Sequence, residues 1–70
     1  MNYELLKKVI DDSGRKLESI ASAIGIDRVT LYNKINGLTE FKVSEINSFC
    51  DTLHLDAKTK MLIFFNDELN

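Results

Sequence analysis

Two groups of side chains in this chain could do chemistry. One is a scatter of acids and serines with a single His54 and a single Cys50; the other is a run of hydrogen-bonding residues from Arg28 to Asn36. The first group lacks the spacing that catalysis needs. Asp11-Asp12 and Asp67-Glu68 pair carboxylates, but no neighbouring base or apolar pocket accompanies them, so they read as solvated acids at helix ends. Ser13, Ser19, Ser22, Ser44 and Ser48 have no histidine at a telling spacing, and no glycine-rich phosphate loop is present. His54 follows Cys50 by one helical turn, which offers two metal ligands where zinc usually takes three or four protein groups. Cys50 itself falls on an apolar stripe, where a free cysteine is usually core. The expectation is a protein that is not an enzyme, with no metal and no cofactor.

The second group is more informative. On a helix starting near residue 28, Arg28, Val29, Tyr32, Asn33 and Asn36 share the outer face. Arginine can make a two-point contact with guanine, asparagine can do so with adenine, and valine can touch a thymine methyl. Each position also reads as ordinary solvated surface, and Val29 or Tyr32 as local packing.

Five helices would position these residues. Leu5, Leu6, Val9 and Ile10 recur at helical spacing over residues 3–13, and Ser13-Gly14 stops them. Leu17, Ile20, Ala21 and Ile24 form a second stripe ending at Gly25. Asp27 caps a third helix, with Leu31 and Ile35 inward and Asn36-Gly37 as its stop. Ile46, Phe49, Cys50 and Leu53 mark a fourth helix over about 43–54. Asp56 caps a fifth over about 57–66, carrying Ala57, Met61, Phe64 and Phe65. There is no proline, no internal repeat and no strand-like alternation of useful length. The predicted fold class is all-α, a bundle of five short helices forming one domain over residues 1–70.

Composition agrees with a small folded domain. Hydrophobic residues are 44% of the chain and charged residues 29%, which excludes the signature of disorder. One cysteine allows no internal disulfide, lysines and acids interrupt the N-terminal apolar residues, and Met61–Phe65 is too short to span a bilayer. A cytoplasmic protein with no membrane contact and no small-molecule substrate is expected. The net charge of −2 argues against nucleic acid until its distribution is considered. Residues 15–42 hold five bases (Arg15, Lys16, Arg28, Lys34, Lys42) against three acids (Glu18, Asp27, Glu40), a net of +2, while both flanking segments are acidic.

That basic segment contains Ile20-Ala21-Ser22-Ala23-Ile24-Gly25-Ile26-Asp27-Arg28-Val29-Thr30-Leu31. A small residue at 21 permits close helix crossing, a glycine at 25 permits a tight turn, and Ile20, Ile24, Ile26 and Leu31 would form the wedge that fixes the angle between the two helices. With Asn33-Lys34-Ile35-Asn36-Gly37, Glu40-Phe41-x-x-Ser44-Glu45-Ile46 and Ile63-Phe64-Phe65, the chain resembles the helix-turn-helix family of phage Cro and CI repressors and xenobiotic-response-element-type regulators. The resemblance is closest to short phage-borne Cro-like proteins. It implies a lambda-repressor-like bundle with a helix-turn-helix over about 17–36. It also implies a homodimer that binds pseudo-palindromic double-stranded operators, whose half-site centres lie roughly 34 Å apart, to regulate transcription.

Carried over by position, the resemblance makes Arg28, Val29 and Asn33 base-reading candidates, with Tyr32 serving bases or backbone. Thr30, Asn36 and Lys42 become phosphate candidates, with Lys16 near the start of the second helix. Two residues depart from the family pattern. Leu17 stands where glutamine often touches phosphate, and Lys34 stands where an aliphatic residue is preferred; the Lys34 stem could cover the core while its amine reaches a phosphate. In Met61–Phe65, one face can close the core and leave the other for a dimer contact through Leu62, Phe65 and Leu69; alternatively all five are core. The rival reading is a protein-binding module of the same fold, an antirepressor or an inhibitor of a host or defence protein, motivated by Leu17 and the acidic total.

Overall fold

Three of the five helices start at a side-chain cap that the sequence supplies, Asn2, Asp27 and Asp56. The structure, a computed structural model, describes residues 1–65. They form α1 (Tyr3–Ser13), α2 (Leu17–Ile24), α3 (Arg28–Ile35), α4 (Val43–Thr52) and α5 (Ala57–Phe64), with no strand among the described residues. The all-α, five-helix fold class is therefore the one expected. The Asn2 side chain accepts from the Leu5 N–H and begins α1. Asp27 does the same for α3, accepting from the Thr30 N–H at 2.7 Å, and Asp56 for α5, accepting from the Thr59 N–H at 2.8 Å. The hydrogen bonds from Thr30 and Thr59 hold the Asp27 and Asp56 carboxyls below their ordinary range.

The turns after α2 and α4 are built alike. After α2, the Gly25 N–H donates to the Ser22 carbonyl and the Ile26 N–H to the Ala21 carbonyl. After α4, the His54 N–H donates to the Asp51 carbonyl and the Leu55 N–H to the Cys50 carbonyl. Both are the paired closure of a helix whose next residue is left-handed. Gly25 has φ of 83° and His54 has φ of 55°. An aliphatic residue, an aspartate cap and a new eight-residue helix follow in each case. The sequence reads without a repeat, yet the backbone repeats this device. The left-handed residue at 54 also explains why α4 ends at Thr52, with Leu53 as its cap, rather than near 54.

α2 packs against α3 and α4, while α1 packs against α3 and α5. Their inward faces build one core: Leu6, Ile20, Ala21, Leu31, Ile35, Ile46, Phe49, Cys50, Ile63 and Phe64. Phe41, from the loop before α4, joins Phe49 and Phe64 in an aromatic trio with ring centroids 5.4–6.1 Å apart, two of the three pairs edge to face. The Asn2 N–H donates to the Ile63 carbonyl at 2.7 Å, pinning the start of the chain to α5.

Packing decides which face of α5 turns inward. Its inward residues are Ile63, fully buried, and Phe64, whereas Ala57, Met61 and Phe65 are exposed. Helical spacing could not choose a face in a segment that is apolar all round; contact with α1 and Asn2 chose it. No helix among the described residues is long and apolar enough to cross a membrane. Leu69 and the Asp67-Glu68 pair lie outside the described residues.

Candidate nucleic-acid interface

The outer face of α3 follows from three local facts. Gly25 adopts a left-handed turn that a Cβ would strain, Asp27 caps the new helix, and Leu31, Lys34 and Ile35 turn inward. Arg28, Val29 and Tyr32 are left outward, and together they line a shallow depression of about 140 Å³. Val29 is 62% exposed and Tyr32 54%, so each presents at least half of its surface to solvent. Tyr32 also borders a second groove of about 190 Å³, lined by Ile10, Leu17 and Ile35 with Lys7, Asp11 and Asn36 at its edges. Leu17 therefore lies in an apolar groove beside the α3 face.

The other candidate residues are less uniformly placed. Asn33 and Thr30 are half-buried. The Asn36 amide donates to the Tyr32 carbonyl at 2.9 Å, so part of its hydrogen-bonding capacity closes the end of α3. Lys16 and Lys42 are exposed and sit at the N-caps of α2 and α4. Neither lysine can cap with its own side chain, so Lys16 leaves the first N–H groups of α2 without a side-chain partner from the cap residue.

Lys34 requires a correction. Its amine does not reach outward to a phosphate. It is 7% exposed and donates to the Glu40 carbonyl at 2.8 Å while pairing with Glu45 Oε1 at 3.0 Å. The lysine stem does lie in the core, as its length permits, but the ammonium follows it inward because a carboxylate waits there. Glu45 enters the sequence reading only as part of a motif, with neither its capping role nor its pairing with Lys34 foreseen. A glutamate at the third position of a helix is a capping signal, and Glu45 Oε1 indeed accepts from the Lys42 N–H at 2.8 Å. Burial alone would raise the Glu45 carboxyl. The hydrogen bond from Lys42, and the hydrogen bond and charge of Lys34, outweigh it and hold the carboxyl below its ordinary value.

This pairing thins the basic surface. With Lys34 neutralised inside, residues 15–42 expose four bases (Arg15, Lys16, Arg28, Lys42) against three acids (Glu18, Asp27, Glu40), a net of +1.

Away from α3, burial pushes the Cys50 thiol up, which keeps it protonated and a poor nucleophile or metal ligand. No cluster of three histidine, cysteine or carboxylate groups able to hold a metal occurs among the described residues. On α5, Met61, Leu62 and Phe65 are exposed, at 54%, 45% and 38%. The alternative in which all of Met61–Phe65 is core therefore does not hold. No protein-family model matches this chain, and neither a curated protein nor a solved structure shows significant similarity to it.

Proposed function

We propose that this chain is a sequence-specific DNA-binding regulator of transcription, a dimeric cytoplasmic repressor in the manner of the Cro-like proteins it resembles. The observation that carries this reading is the outward set Arg28, Val29 and Tyr32 on a helix capped at Asp27 and set off by the tight Gly25 turn. α3 would enter the major groove with Arg28 on guanine and Val29 on a thymine methyl, Asn33 and Tyr32 completing the contacts. Lys16 and Lys42 would clamp phosphates on either side. The described part measures 31 × 24 × 20 Å, so one copy is too small to present α3 to two groove segments roughly 34 Å apart. A two-part operator therefore calls for two copies, joined through Leu62 and Phe65 on the exposed side of α5.

Selection from random duplex DNA, followed by titration of salt, tests this reading. Two phosphate cations per protomer predict a log–log slope of about −4 for a dimer, and an inverted repeat among the selected sequences. No enrichment and no affinity at low salt would exclude it. A second reading, a protein-binding module, draws on the apolar exposure of Val29 and Tyr32, the groove over Leu17, and the small cationic surplus. Its mark is a complex with a protein that survives high salt.

A further inference from the structure

We propose that Lys34 is a positioning residue for the DNA-binding face, one that fixes Lys42 through Glu45 and does not itself touch DNA. The inference rests on the DNA-binding reading above and names a component of that same surface. One buried ammonium ties three segments together: the last turn of α3 that carries it, the carbonyl of Glu40 in the following loop, and the Glu45 carboxylate in the first turn of α4. The same oxygen, Glu45 Oε1, accepts the backbone N–H of Lys42. The backbone from which Lys42 projects is thus set relative to the helix that carries Arg28, while the Lys42 side chain stays exposed.

Stability does not call for a lysine here. Buried ion pairs are often matched or bettered by apolar residues of similar size. The second turn unit makes the point internally, because the residue standing after His54 where Lys34 stands after Gly25 is Ile63, fully buried. What an isoleucine cannot do is hold a loop carbonyl and a carboxylate at once. The lysine therefore serves geometry between α3 and the start of α4, as a surface whose two ends meet the same ligand would require.

The test is the salt dependence of binding to random duplex DNA for wild type, Lys42→Ala, the double variant Lys34→Met/Glu45→Met, and the triple variant combining them. The double variant is expected to fold yet to lose affinity, with a slope reduced by about 1 per protomer, as for Lys42→Ala. The triple variant should then be no weaker than the double. A folded double variant that binds like wild type would leave the pair a purely structural role and overturn the proposal. A triple variant clearly weaker than both parents would show Lys42 acting independently of the Lys34–Glu45 pair, and would overturn it equally. Should the double variant not fold, NMR of the wild-type lysine ammonium groups decides. The Lys34 signal should stay protected from exchange and unmoved by DNA while that of Lys42 shifts; a Lys34 signal that moves with DNA sinks the idea. A wild-type chain that does not bind DNA at all strikes the DNA reading and this inference together, whereas binding with an unaffected double variant strikes only this one.

Discussion

The α2–α3 and α4–α5 units share a turn but not a surface. Both close the first helix with the same pair of backbone bonds, pass through a left-handed residue and an aliphatic one, and restart on an aspartate cap. Beyond that cap their chemistry diverges. α3 turns Arg28, Val29 and Tyr32 to solvent, whereas α5 turns out Met61 and Leu62, with Phe65 exposed just past its end. Inside, Lys34 with its ion pair stands where the other unit has Ile63. Turn geometry is thus a local matter, fixed by φ and caps, and says little about use. The outward residues carry the difference: a guanidinium, a valine and a tyrosine on one unit, an apolar strip on the other, which under the proposed reading meet base edges and a second copy respectively.

The largest effect should come at the interior mismatch. Lys34→Met leaves Glu45 buried without its cation and is expected to cost about 3–5 kcal/mol in denaturant unfolding, enough to unfold most of a domain this small. Lys34→Met/Glu45→Met should recover most of that, and a double variant no more stable than the single would deny that the lost partner is the cause. Next come the two surfaces. Arg28→Ala should weaken operator binding by about 1–3 kcal/mol and leave self-association unchanged. Leu62→Glu should abolish self-association in sedimentation equilibrium while the monomer keeps its helical content. If the two variants exchanged phenotypes, the division of labour between the units would be wrong.

Smaller effects should separate the turns themselves. Gly25→Ala meets no steric neighbour, so only its positive φ resists, and a loss of about 1 kcal/mol is expected. His54→Gly relieves the same strain and should raise stability by a similar amount; a fall in Tm would show that the imidazole does more than tolerate its position. The smallest contrast is with pH. Asp27, Glu45 and Asp56 all have carboxyls held below their ordinary values. A lowered folded-state value means stability that is complete above the unfolded carboxylate range and is lost as pH falls through and below it. Unfolding followed from neutral pH into acid should show this loss, and Asp27→Asn should flatten part of it.

Much of the fold was legible because its rules are local. Gly14, Gly25 and Gly37 mark helix ends, Asp27 and Asp56 mark starts, and the stripes through Leu6, Ile20, Leu31 and Phe49 find the core, since periodicity and capping act within a few residues. The outward placement of Arg28, Val29 and Tyr32 follows from the same periodicity. Lys34 did not follow. Its partners are six and eleven residues away, across a loop whose path no local rule sets, so the sequence could place its stem over the core but not its amine.

The sequence by itself therefore determined the five helices, the aspartate caps of α3 and α5 and the composition of the α3 face, because each depends on contacts within one or two turns. Only the tertiary structure decided which side of α5 faces inward, that Phe41 completes an aromatic trio, and that the Lys34 charge is spent inside. Those outcomes depend on which distant group occupies the space alongside, and a buried charge goes where its counter-charge is.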